Sequence, residues 1–165
     1  MDMREVRIEK LTKEAFSPFG VFLGKSTDQE PTARREDLSA WLNISSLLDL
    51  HSKGSIGFLE VYRQEDASVG TLEYHAKCAE GFIPLSGTSV LVVAPLQSQM
   101  GLINEEEIRA FLLDGSCGVF IPKGVWHWAP LALSERADFL MLQNADIIEI
   151  NDIIERSIVP LKICF

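Results

Sequence analysis

A mainly β fold, a jelly-roll sandwich or barrel with a few short helices, is predicted by three features of the sequence. Many short apolar or β-branched runs follow one another after residue 57, and Gly, Pro or Asp bounds each of them. The length, 165 residues, is that of a single domain spanning 1–165. Apolar residues make up 47%, enough to fill a closed core.

The elements follow in order. Thr12 can cap a short helix over residues 12–16, because its hydroxyl accepts from free backbone N–H groups, and Pro18 and Gly20 end it. Residues 28–37 are polar, carry Pro31, and read as a surface loop. Over residues 39–50, Trp41, Ile44, Leu47 and Leu48 fit helical spacing, while a strand stays open. Strands are expected at 57–63, 71–75, 81–85, 89–94, 118–121 and 139–143. Residues 104–113 fit a capped helical turn or an alternating strand, and residues 151–156 one helical turn.

Charge and cysteine usage narrow the function classes. A net charge of −9 and no surviving Lys/Arg cluster argue against a nucleic-acid partner and favour a small molecule or another protein. The N-terminal stretch lacks a signal-peptide core, and the longest apolar run, residues 90–96, is too short to span a bilayer. Cys78, Cys117 and Cys164 are odd in number and widely spaced, as suits free thiols in a reducing cytoplasm. Apolar strands in a small barrel leave edges that are usually paired or covered, so a homodimer is expected.

The segment Gly70-Thr-Leu-Glu-Tyr-His-Ala-Lys-Cys-Ala-Glu carries the densest chemistry. In a strand, Glu73 and His75 project from one face, with Leu72 and Tyr74 on the other. Four residues separate His75 from Glu80, room for a tight turn that returns Glu80 beside them. Downstream, Pro122 and Gly124 set a turn just before His127. Alone, each histidine reads equally well as a barrel-lining residue satisfied by hydrogen bonds. Together with two carboxylates they point to a functional cluster, since a lone ionised carboxylate entering a core is costly. Glu73, His75, Glu80 and His127 form a nitrogen–oxygen donor set suited to Mn, Fe, Ni or Zn; a metal-free site using His and Glu as acid and base fits equally. Arg63 reads either as a rim arginine or as a bidentate clamp for a substrate carboxylate. Trp126 and Trp128 flank His127, one to pack and the other, if exposed, to cover a pocket mouth; Cys78 has no evident base.

The order Glu73-x-His75-x4-Glu80-x6-Gly87, then Pro122-x-Gly124-x2-His127, resembles the two motifs of the cupin superfamily, with Glu73 at the position of that pattern's first His. Further blocks resemble the ureidoglycolate lyases: Leu11 to Gly20 with its Ala15-Phe16, Phe82-Ile-Pro84, Arg109-Ala-Phe111, Gly124-Val-Trp-His127 and Asp138-Phe-Leu140. Where that family reads Trp-His-His-Pro, this chain has Trp126-His127-Trp128-Ala129-Pro130, and Glu80 stands where Gln is frequent. The resemblance implies a cupin-type double-stranded β-helix and release of urea and glyoxylate from ureidoglycolate, a step of allantoin degradation in purine catabolism. It implies Glu73, His75 and His127 as catalytic groups, His75 or Glu73 taking the hydroxyl proton and His127 orienting or protonating the leaving group, and Arg63 and Trp126 as substrate contacts. A cupin isomerase or epimerase acting on a sugar or keto acid, and a non-catalytic ligand-binding cupin, are the rival expectations.

Overall fold

The computed structural model describes residues 3–25, 29–42, 44 and 53–165. Its strands are β1 (Arg4–Lys10), β2 (Val21–Leu23), β3 (Ala33–Arg34), β4 (Ser39–Ala40), β5 (Gly54–Tyr62), β6 (Ser68–Tyr74), β7 (Glu80–Ser86), β8 (Ser89–Val93), β9 (Arg109–Leu113), β10 (Gly118–Ile121), β11 (Leu131–Ala132), β12 (Arg136–Asn144) and β13 (Ile154–Cys164). The helix α1 (Lys13–Phe16) is a single turn capped as its sequence predicts, with Thr12 Oγ1 accepting from Ala15 N at 3.1 Å. The mainly β expectation holds, with the strands gathered into two main sheets.

One sheet runs β2-β10-β7-β12-β5, and the other runs β11-β8-β9-β1-β13-β6. In the second sheet β1 pairs in parallel with both β9 and β13, so the two ends of the chain lie side by side. His127 forms antiparallel bridges to Glu73 of β6 and to Val93 of β8. That single residue joins two otherwise separate strands of the second sheet, and β8-β9-β1-β13-β6 close into a ring.

Two apolar compartments result, sharing β8 and β9 as a wall. Alternate residues of a strand face opposite ways, so Leu91, Val93, Phe111 and Leu113 pack toward the first sheet, against Phe82, Val119, Ile121 and Phe139. Val90, Val92 and Ala110 pack with Leu72, Tyr74, Trp126, Leu161 and Ile163, residues drawn from the ring. The helix α1 plugs the first compartment: Phe16 and Phe19 meet Phe111 edge-on at 5.3 and 5.2 Å between ring centroids.

The expected strands form with shifts of a few residues at their ends. Residues 104–113 satisfy both halves of their reading: Asn104 caps a 3-10 turn over Glu105–Glu107, and the alternation beyond it is β9. Residues 29–37 are surface loop around the short β3–β4 pairing. Most of the ambiguous 39–50 segment lies outside the described residues, apart from β4 and residues 41, 42 and 44. The helical turn expected at 151–156 is not there. Turns occupy residues 145–151, and a strand begins at Ile154, because its backbone finds a better partner in β6, with Ile154 opposite Tyr74. The alternating N-terminal segment is β1, a strand unread in the sequence because its partners lie about a hundred residues away or more.

Candidate active site

The two sequence motifs meet through backbone hydrogen bonds. Glu73 and His127 exchange both of theirs at 2.8 Å, and Gly124 N donates to His75 O at 2.8 Å. Gly124 sits at φ 83°, a left-handed conformation that glycine adopts without Cβ strain, and it turns the chain from Pro122 toward His127. Residues directly opposite in an antiparallel pair share a face. Glu73 and His127 therefore project together, while Tyr74 and Trp126 project into the ring, where their rings meet edge-on at 4.6 Å. His127 also lies 6.4 Å from Phe82, at the polar end of the compartment between the sheets.

Glu80, the first residue of β7, returns to this spot as its spacing predicts. His127 Nε2 lies 3.1 Å from Glu80 Oε2, and His75 Nε2 lies 3.4 Å from the same oxygen. All three side chains are buried; His127 is 1% exposed. The ring centroids of His75 and His127 are 5.4 Å apart. Both Nδ1 atoms are engaged by backbone carbonyls, His75 with Asp152 O at 3.0 Å and His127 with Val125 O at 2.9 Å. An N–H on each Nδ1 fits those acceptors, which leaves both Nε2 atoms aimed at the cluster. His75 Nε2 is near enough to Glu80 for an ion pair but not aligned for a hydrogen bond, and it is a buried polar atom without a hydrogen-bond partner.

The electrostatics follow from this crowding. Burial pushes the Glu80 carboxyl up, but the hydrogen bond from His127 and the charge of the nearby His75 outweigh it and hold the group at about 2. Burial alone would depress the His75 imidazole; the Glu80 carboxylate, the Asp152 carbonyl and Glu73 reverse this and raise it to about 9. The Glu73 carboxyl, half-buried, is raised by desolvation and by Glu80, against the opposing pull of both histidines. Its neighbour Cys78 is pushed up to about 12 by burial and by Asp152, so it is a thiol and no nucleophile.

The other expected site residues fall elsewhere. Trp126 is not brought to the cluster: it is 3% exposed inside the ring, and its indole N–H donates to Leu102 O at 3.1 Å. Period-two alternation beside His127 makes that placement unavoidable. Trp128 packs partly buried on the same ring core. Leu59 and Val61 face inward as expected, but β5 stops at Tyr62, and Arg63 lies exposed beyond it with its backbone N–H donating to Glu135 O. Asp152 was missed. It is 1% exposed and accepts from the backbone N–H groups of Ala76, Lys77 and Cys78 at 3.0–3.1 Å. Its only local signal is an acidic residue between Asn151 and Ile153, which carries no periodicity.

Glu73, His75 and His127 each offer one donor atom within 4.8 Å of the others. The unpartnered His75 Nε2 and the mixed nitrogen–oxygen set fit a divalent transition metal such as Mn, Fe, Ni or Zn.

Two imidazoles and two carboxylates gathered at one end of the compartment between two β-sheets form a site equipped for proton transfer or metal binding. Comparison with known proteins then places it more narrowly. The model of the ureidoglycolate lyase family matches residues 3–161, and the chain belongs to that family. A ureidoglycolate lyase from Burkholderia cepacia is 32% identical over 151 residues, which cover 84% of this chain and 79% of that protein. One from Pseudomonas savastanoi pv. phaseolicola (strain 1448A / Race 6) is 31% identical over 156 residues, 87% and 85% of the two chains. Among solved structures, the dTDP-6-deoxy-D-glucose-3,5-epimerase RmlC of Legionella pneumophila matches with a TM-score of 0.48 at 19% identity, covering 83% of this chain and 76% of that one.

Proposed function

We propose that this protein is a ureidoglycolate lyase, a carbon–nitrogen lyase that releases urea and glyoxylate from ureidoglycolate. One observation carries the reading: in a chain matched to that family over residues 3–161, the two imidazoles close on one buried carboxylate. Ureidoglycolate bears a carboxylate, a hydroxyl and a urea nitrogen on one carbon. Cleavage requires removal of the hydroxyl proton as the C–N bond breaks, and delivery of a proton to the departing nitrogen.

The cluster divides these tasks. Glu73, whose carboxyl is raised and half-buried, takes the hydroxyl proton. His75, cationic at neutral pH and with an unpartnered Nε2–H, gives its proton to the urea nitrogen. Glu80 keeps that imidazolium charged. His127 anchors Glu80 and, with its Nδ1 held by Val125 O, cannot rotate away. The proton gained by Glu73 equals the one lost by His75, so return of one to the other through the cluster resets the site.

Metal binding is a second reading, favoured by the converging donor triad. Glu73, His75 and His127 would hold the ion, and it would supply Lewis-acid polarisation of a substrate oxygen. Protein freed of metal by chelation and dialysis, incubated with ureidoglycolate, is expected to yield glyoxylate and urea in equal amounts. Activity that vanishes on chelation and returns with Mn²⁺ or Ni²⁺ would transfer the proposal to the second reading. Absence of turnover with and without metal would refute the lyase assignment.

A further inference from the structure

Asp152 has no place in the reaction as written, yet it is the most heavily bonded carboxylate of the site region. Oδ1 accepts from Ala76 N and Lys77 N at 3.0 Å each, and Oδ2 from Cys78 N at 3.1 Å. The Cys78 thiol adds a further contact to Oδ2 at 3.1 Å. Three successive backbone N–H groups converging on one carboxylate form an anion cradle, which offsets the cost of burying that side chain. The cradle is the turn linking His75 to Glu80. The same residue's backbone carbonyl accepts from His75 Nδ1. Asp152 thus grips the site from both ends of one residue: its side chain fixes the turn between two cluster members, and its carbonyl fixes the ring of one.

The local chain is shaped for this grip. Asn151 adopts φ 46°, a left-handed conformation that asparagine tolerates better than most side chains, and it ends the run of turns before β13. Three residues on, Ile154 enters register opposite Tyr74 of β6. Asp152 is therefore held between a turn and a ladder, beside the strand that carries Glu73.

We propose that Asp152 is the positioning residue of the site: by tying the 76–78 turn to the start of β13, it holds His75 in the one ring orientation that aims Nε2 at the substrate. The inference rests on the reading of His75 as the proton donor. Asn at 152 keeps the size but turns one acceptor into an NH2 that opposes a backbone N–H, so the cradle opens.

Asp152→Asn is expected to lower kcat for ureidoglycolate about 10–100-fold, the usual loss when the partner that orients a site histidine is removed, while KM stays near that of the unmodified enzyme. In the unmodified protein, the His75 Nδ1 proton should appear in NMR spectra as a slowly exchanging signal, and it should exchange freely in Asp152→Asn. A folded Asp152→Asn with undiminished kcat overturns the proposal, and so does fast exchange of that proton in the unmodified protein. The ring-proton comparison between the unmodified protein and folded Asp152→Asn needs no turnover. It therefore decides the role of Asp152 even if ureidoglycolate proves to be the wrong substrate.

Discussion

The two compartments of this protein share a wall but differ in what closes them. The ring compartment is sealed by Trp126 and Tyr74 and is lined by apolar side chains. The compartment between the sheets is equally apolar at its centre, around Phe82, Phe111 and Phe139, but ends on His75, Glu80 and His127. The strand period of two makes the difference. Leu72 and Tyr74 alternate with Glu73, and Trp126 with His127, so the same two segments give one compartment its hydrophobic seal and the other its chemistry. The bridge between Glu73 and His127 fixes both at once.

Neighbouring substitutions should separate the two roles, and this is the largest effect expected. His127→Gln, which keeps a donor toward Glu80 but loses the imidazole that fixes it in place, should cost about 10–100-fold in kcat/KM with a modest change in stability. Trp126→Ala should do the reverse and destabilise the fold by about 3–5 kcal/mol while the residual folded enzyme turns over. Chemical denaturation and steady-state assays on both variants measure this. Equal damage to activity and stability in each would erase the distinction between the compartments.

The pH dependence of stability sharpens the comparison, because among the described residues the buried, paired titrating groups Glu80 and His75 lie in one compartment. Glu80 is lowered from 4.5 to about 2, so its contribution is complete above 4.5 and is lost as pH falls toward 2. His75 is raised from 6.5 to about 9, so its contribution is complete below 6.5 and is lost as pH rises through 9. Melting temperature of the metal-free protein should therefore be highest between 4.5 and 6.5. Glu80→Gln should flatten both flanks, and flanks that stay as steep in that variant would contradict the pairing.

The smallest effect is expected at Arg63. As a clamp on the substrate carboxylate it would raise KM by tenfold or more when removed, as a buried charge-assisted pair does. Its exposed position beyond β5 predicts for Arg63→Ala a change of about threefold or less, the scale of screened surface charges.

Much of this arrangement was legible in the sequence, and the gaps have a physical pattern. The helix cap at Thr12, most strands, and the spacing that returns Glu80 to His75 are local features, readable from alternation and turn residues alone. The meeting of the two motifs was readable from their resemblance to a known pattern. What escaped was long-range. The strand β1 pairs with β9 and β13 across most of the chain, so nothing near Arg4 announces its partners. Asp152 sits some 75 residues from the turn it holds, in a segment whose polar–apolar mix looked like a helical turn. The resemblance implies Trp126 as a substrate contact, but adjacency to His127 in an extended segment places the two side chains on opposite faces.

The central claim is that His75 and His127 work through one carboxylate, and a double-mutant cycle tests it most directly. Turnover of ureidoglycolate would be compared for the unmodified enzyme, His75→Gln, His127→Gln and the double variant. Residues that act as a unit are non-additive, so the double variant should be no slower than the slower single variant. If the two losses multiply, the histidines act independently, and the shared-carboxylate account is wrong.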